Sequence, residues 1–293
     1  MGPLDEFGDD IQADAPLAPL TWFRLGGPAR YLARPKTVDR LAALMARCRA
    51  EGLSVRVLGG GSNVLVRDEG VDGVVVHLES PAFADVTIEG SKVVAGAAVP
   101  LTALISQTAR AGLAGLETLT GIPGTVGGAL RGNAGGRQGA IGPLVRRVAV
   151  LDGSDEVQQR EREDLAFAYR SSNLDEPVLL SAEFHLEPED PEVVVRRMRR
   201  IWIVKKENQP YGHQSAGCIF KNPAVDLSAG MLIEQAGLKG AKQGAAEISE
   251  RHANYIVAQP GATAADVLAL IDTIRRRVWE QFGYDLETQL RVW

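Results

Sequence analysis

Cysteine is scarce in this chain of 293 residues: Cys48 and Cys218 stand far apart, with no CxxC spacing. Two isolated thiols exclude a disulfide framework and point to a reducing compartment, the cytoplasm. The four histidines, His77, His185, His213 and His252, are scattered singly, so no metal-ligand cluster is legible. No apolar run approaches the roughly 18 residues of a membrane span, and the acidic N-terminus is no signal peptide. The formal net charge of −5 offers no basic surface for nucleic acid or an anionic membrane. Any anionic ligand must therefore be held by local donors. What is present is an ordinary globular composition, 45% hydrophobic and 24% charged, long enough for two domains with a sizeable core.

Residues 1–20, with Asp5, Glu6, Asp9, Asp10 and several prolines, read as a flexible tail. Helix and strand signals then alternate. Val38, Leu41, Leu44, Met45 and Cys48 recur at helical spacing, and the pattern ends near Gly52. Ser54 to Leu58, Val64 to Val66 and Val74 to Leu78 read as strands, and Asp85 to Gly96 as a hairpin about Glu89-Gly90. Pro100 opens a second helix. Strands resume at Leu144 to Leu151 and Val178 to Leu186. Glu187 to Pro191 looks like a linker, followed by a basic amphipathic helix from Val193 to Lys206. Asp226 is expected to cap a helix through Gln235, and Thr263 another to Phe282. Leu286 to Trp293 alternates as a strand with Leu286, Leu290 and Val292 on one face. The fold class is α+β, with a mixed N-terminal half that binds a cofactor and a smaller C-terminal domain.

Two glycine-rich loops carry the first chemical signal. Gly59, Gly60, Gly61, Ser62 and Asn63 lie between apolar strands. The second loop contains Thr120, Gly121, Ile122, Pro123, Gly124, Thr125, Val126, Gly127 and Gly128, and continues to Asn133 and Gly135. Residues without a Cβ let consecutive N–H groups turn toward an anion. Ser62 and Asn63 could add side-chain donors. Two such loops suggest a long dinucleotide whose pyrophosphate is cradled by backbone; tight turns alone are the competing reading. Neither loop matches GxGxxG or a P-loop, which disfavours a Rossmann domain and an ATPase.

The two loops occur in order with Thr21-Trp22-Phe23-Arg24-Leu25-Gly26-Gly27-Pro28-Ala29, Tyr169-Arg170-Ser171 and Ser215-Ala216-Gly217-Cys218-Ile219-Phe220-Lys221-Asn222-Pro223. This ordered set resembles the UDP-N-acetylenolpyruvoylglucosamine reductase family, from about Thr21 to the last strand. The segment between Leu186 and Ser215 is short, so the chain resembles the type lacking an extra tyrosine-bearing loop.

The resemblance implies a two-lobed FAD-binding domain of the vanillyl-alcohol-oxidase (PCMH) type over 21–188. A C-terminal domain over 189–285 would bind a UDP-sugar. In this family the final strand tends to return to the first lobe, which leaves open a discontinuous boundary in which 286–293 joins it.

The implied activity is reduction of UDP-N-acetylglucosamine enolpyruvate, with NADPH as hydride source and tightly bound FAD as carrier. It belongs to peptidoglycan precursor synthesis, hence cell-wall biogenesis, cell shape and cell division, and the resemblance is compatible with a monomer.

By motif match, Arg170 would hold the substrate carboxylate and stabilise the developing enolate; a surface ion pair is the alternative. Cys218 stands where most of the family carries serine as proton donor. A thiol ordinarily titrates near 8.5, so it is a stronger acid than a hydroxyl and is still protonated at neutral pH. A buried structural cysteine, a nucleophile with His213 as base, and a disulfide with Cys48 compete with that role. Cys48 lies on a core-facing helical stripe, which disfavours the disulfide.

Glu287 matches an active-site glutamate, against the reading of an exposed strand carboxylate. Tyr169 flanks Arg170, and with Lys221 and Asn222 it is a candidate for substrate binding. Lys205 and Lys206 read as a solvated helix face. Gln235 and the stretch Ala241-Lys242-Gln243-Gly244 are weaker candidates for substrate contact. The run Arg131 to Arg137 departs from the usual Met-Asn-Ala-Gly-Ala-Tyr-Gly pattern, which loosens side-chain assignments near the flavin. A flavin oxidase of the same fold and a non-catalytic nucleotide-sugar binding module are the other readings.

Overall fold

Thr37 starts the first helix: in extended backbone, its hydroxyl accepts the Arg40 N–H at 3.2 Å and caps α1, Val38–Ala50. The stripe Leu41, Leu44, Met45 and Cys48 is buried, as its spacing predicts, against Val74, Val76, Leu151 and Val178. This helix belongs to one of two compact units in the computed structural model, which describes residues 2–293. The first unit takes the chain up to Ala13, Tyr31–Gly60 and Gly73–Val204; the second takes Asp14–Arg30, Gly61–Asp72 and Lys205–Trp293.

In the first unit a five-stranded antiparallel sheet runs in the order Val157–Glu161, Val145–Leu151, Val178–His185, Lys92–Gly96, Val86–Glu89. Its last two strands form the expected hairpin, with Glu89 opposite Lys92 and Gly90 at φ 60°. Helices α2, Leu101–Arg110, and α3, Val126–Arg131, bury Leu101, Leu104, Ile105, Val126 and Leu130 in the same core as Val145, Val148 and Val150. A four-stranded sheet has the order Ile11–Pro16, Pro28–Ala33, Val71–His77, Val55–Leu58. The last two run parallel, and Val74, Val75 and Val76 are fully buried, the continuous apolar run of a strand covered on both faces.

Two segments are better ordered than the sequence suggested. The expected flexible tail is packed: Leu4 and Phe7 are buried with α1, and Arg40 Nε reaches the buried Asp10 carboxylate at 2.9 Å. Two apolar residues and an ion pair anchor a stretch whose composition looked solvated. The expected linker is also tied down. Glu187–Pro188 pairs antiparallel with Leu113–Ala114, and Pro191 begins α4, Pro191–Asn208. On α4, Arg197 donates to the buried Glu117 and, at 2.8 Å, to Glu189.

The second unit is α+β on its own. Lys242–Gln243, Ala246–Ile248 and Ile256–Ala258 form an antiparallel sheet against α5, Ala229–Gln235, and α6, Ala264–Phe282. The cap of α5 is Ser228 and not Asp226: its hydroxyl accepts the Met231 N–H at 3.1 Å. Thr263 caps α6, as expected, in a capping box that Asp266 completes, and Asp68 accepts the Ala264 and Ala265 N–H groups at 2.9 and 3.0 Å. Leu286 and Leu290 are buried with Phe23, Leu25, Leu65 and Phe220. The regular part of the final strand is shorter than its alternation implied. Arg291–Val292 pairs parallel with Val64–Leu65, and Thr288 makes a single antiparallel bridge to Phe220. Val292 stays half-exposed.

Candidate active site

The two glycine loops meet inside the first unit. A Cβ on Gly59 would lie 2.6 Å from Thr125 Oγ1, and one on Gly60 would lie 2.8 Å from Gly124 Cα. At Gly60 only a residue without a side chain allows this backbone-to-backbone approach. Gly124 adopts φ 103°, a conformation that favours glycine.

The main-chain donors of the second loop are largely committed within the protein. Ile122 N–H binds Leu119 C=O, Val126 N–H binds Val99 C=O, and Gly127 N–H binds Ala97 C=O. Gly128 N–H reaches Thr125 Oγ1 at 3.4 Å, Thr120 Oγ1 binds Glu117 C=O, and Pro123 has no N–H. The amides of Gly59, Gly60, Gly124 and Thr125 donate to no described residue. Donors crowded this way suit an extended anion such as a pyrophosphate. The face of open amides is therefore narrower than the full motif.

The run continues into the second unit with Gly61, Ser62 and Asn63, whose amides likewise donate to no described residue. Asn63, expected to offer a side-chain donor, spends it on Gln289 C=O at 3.0 Å. What it leaves is a buried acceptor, Oδ1, without a partner.

Arg170 sits with Tyr169 in the two-residue turn of a hairpin formed by Phe167–Ala168 and Ser171–Ser172. It adopts φ 55°, its Nε is buried without a hydrogen-bond partner, and its guanidinium lies 5.4 Å from the Tyr169 ring centroid. Asn133, expected near the cofactor, braces this hairpin. Buried and at φ 41°, it donates from Nδ2 to Ala168 C=O at 2.7 Å and accepts the Gly142 N–H on Oδ1 at 3.1 Å. Gly135 makes a close turn against Gly139 and Ala140. The sequence departure at 131–137 thus lies in a supporting structure.

In the second unit, Cys218, Lys221 and Asn222 follow one another on a segment facing residues 286–289. Phe220 bridges Thr288, Lys221 N–H binds Glu287 C=O at 2.9 Å, and Lys221 Nζ lies 2.6 Å from Glu287 Oε1. Cys218 is half-buried and forms no disulfide. Cys48 forms none either and is fully buried, with its thiol pushed up to about 11 by burial and by the nearby Asp155 charge. Asn222 Oδ1 accepts the Ala229 N–H at 3.1 Å, so that oxygen serves the start of α5.

Sequence reasoning missed Asn254, 2% exposed, whose side chain exchanges two 2.9 Å hydrogen bonds with the Phe220 main chain. A lone asparagine between apolar neighbours gave no signal. The buried Glu117 with Arg197 was missed for the same reason. Among the described residues no group of His, Cys, Asp and Glu is placed to hold a metal, and no helix is long and apolar enough to cross a membrane.

The glycine-walled loops of the first unit and the Lys221–Glu287 pair of the second lie in segments whose relatives make the chain a flavin-binding oxidoreductase. Residues 29–159 match the FAD binding domain family, and residues 209–293 match the family described as UDP-N-acetylenolpyruvoylglucosamine reductase, C-terminal domain. The UDP-N-acetylenolpyruvoylglucosamine reductase of Heliobacterium modesticaldum is 42% identical over 289 residues, covering 98% of this chain and 92% of its own. That of Desulfosudis oleivorans is 39% identical, covering 98% and 95%. The crystal structure of the Thermus caldophilus enzyme superposes with a TM-score of 0.83 at 38% identity, covering 97% of this chain and 99% of that one. The chain belongs to the UDP-N-acetylenolpyruvoylglucosamine reductase family.

Proposed function

We propose that this protein reduces UDP-N-acetylglucosamine enolpyruvate to UDP-N-acetylmuramate for peptidoglycan synthesis, as a cytoplasmic monomer using FAD and NADPH. The similarity along the whole chain to enzymes of that name carries the reading. The glycine walls and open amides of Gly59, Gly60, Gly124 and Thr125 fit FAD, and they would hold its pyrophosphate. Bound FAD would supply hydride transfer between NADPH and substrate.

The chain's own residues supply binding, charge and a proton. The Arg170 guanidinium, with its Nε unspent inside the protein, suits a carboxylate and the negative charge that develops beside it. Removing one such contact costs on the order of 3 kcal/mol of barrier. The Cys218 S–H then delivers its proton to the carbanionic carbon, and solvent reprotonates the thiolate. Glu287, held by Lys221, assists polarisation at the same centre. Tyr169, Lys221 and Asn222 line the route of the nucleotide sugar in this reading.

The test is a stopped-flow record of flavin bleaching by NADPH and of its recovery on adding the enolpyruvyl UDP-sugar. Wild type performs both phases. Cys218→Ala keeps bleaching and loses recovery, Cys218→Ser retains substantial recovery, and Arg170→Ala loses recovery. A colourless protein that FAD does not reconstitute removes the proposal. Wild-type recovery in Cys218→Ala removes the proton-donor role alone.

A further inference from the structure

We propose that Asn254 is the residue that positions Cys218 for proton delivery. The inference rests on the proposed role of Cys218 and adds a residue that touches no reacting atom. Asn254 acts through the two residues that follow the thiol. Its Oδ1 accepts the Phe220 N–H at 2.9 Å, its Nδ2 donates to the Phe220 C=O at 2.9 Å, and its own C=O accepts the Ile219 N–H at 2.9 Å. From the opposite side, Gln289 N–H binds Ile219 C=O at 2.7 Å and Lys221 N–H binds Glu287 C=O at 2.9 Å. The main-chain polar groups of Ile219 and Phe220 are thus all engaged.

The other neighbour of Cys218 is of a different kind. Gly217 adopts φ 75°, and no atom lies within 4 Å of where its Cβ would stand. With an open glycine at positive φ on one side and this clamp on the other, the clamp is the reference for the thiol. Asn254 is the one side chain in it, and at 2% exposure water does not replace its bonds. A planar amide that both donates and accepts acts here as one more strand residue. Alanine at this position would leave a buried N–H and a buried C=O unpaired and would free the segment to shift.

The test compares wild type, Asn254→Ala, Asn254→Asp and Cys218→Ala as full-length FAD-loaded protein. Asn254→Asp keeps the acceptor for Phe220 N–H and loses the donor, so it reports on the clamp if the alanine variant does not fold. In Asn254→Ala, flavin recovery with the enolpyruvyl substrate slows on the order of a hundredfold, the scale of an ångström-sized misplacement, while bleaching by NADPH stays within about twofold. Asn254→Asp lies between.

A second readout is independent of turnover. Iodoacetamide labels Cys218 and spares Cys48, and the labelling rate changes at least about threefold in Asn254→Ala, with faster amide exchange at Phe220. Equal loss of both flavin phases, or unchanged labelling and exchange, overturns the inference. If Cys218→Ala recovers at the wild-type rate, the proton-donor reading fails by itself. Labelling and exchange then decide whether Asn254 orders the thiol.

Discussion

Lys221 and Glu287 lie 66 positions apart in the chain, yet Nζ stands 2.6 Å from Oε1 across two facing segments. The Glu287 side chain is 70% exposed, so water screens the pair. Lys221→Met is expected to change stability by no more than about 0.5 kcal/mol. Its effect falls on turnover, because Glu287 loses the partner that fixes its carboxylate; kcat drops about tenfold. Denaturant melts beside steady-state kinetics separate the two quantities. An unaltered kcat would make the pair a bystander.

Gly60→Ala is expected to force two backbones apart, since the new methyl would lie 2.8 Å from Gly124 Cα. The cost is about 1–3 kcal/mol of overpacking, with loss of the yellow colour of bound flavin on purification. Gly136→Ala is the matched control, because nothing lies within 4 Å of that position. Retained flavin in Gly60→Ala would show that the loops can part without harm.

Replacing Asn133 by alanine strips the Ala168 C=O and the Gly142 N–H of their partners. A stability loss of about 2 kcal/mol is expected, with a fall in kcat as the Arg170 turn loosens. Asn133→Gly relieves the left-handed backbone while losing the same two bonds. Its thermal midpoint should sit above that of the alanine variant with an equally low kcat. Equal midpoints would show that the φ of 41° stores little strain.

Burial holds the His252 imidazole below its ordinary 6.5; Lys239 pushes the same way and Glu234 opposes. The folded chain therefore takes up this proton less readily than the unfolded one. Stability is complete above 6.5 and is lost as pH falls from there through the folded value, by up to about 1.4 kcal/mol per pH unit. His77, also lowered mainly by burial, contributes a parallel slope. Thermal midpoints at neutral and mildly acidic pH should converge for His252→Gln relative to wild type. An identical acid shift in both would place the titration elsewhere.

The parts of this molecule legible in its sequence are those governed by neighbours along the chain. The 3.6-residue stripe of α1, the Thr263 cap of α6 and the hairpin at Gly90 needed no tertiary knowledge, and the structure has all three. The glycine loops were legible because few residues allow a close backbone approach such as that of Gly60 to Gly124. Asn254 was not, because its partners lie 34 positions away and a buried amide looks like any other polar residue. Ser228 displaced Asp226 as a cap because the helix begins two residues later than composition implied. The N-terminal stretch misled because charge count hides two apolar anchors, Leu4 and Phe7.

The second unit closes its core with Phe23, Leu25 and Leu65 from early stretches and Leu286 and Leu290 from a late one. During synthesis, the first of these side chains leave the ribosome more than two hundred residues before the last. Val64–Leu65 must wait for Arg291–Val292 before its ladder forms. Folding of that unit is consequently a late, long-loop event. A cut at the start of α5 would therefore part Phe23, Leu25, Leu65 and Phe220 from the rest of that unit's hydrophobic interior.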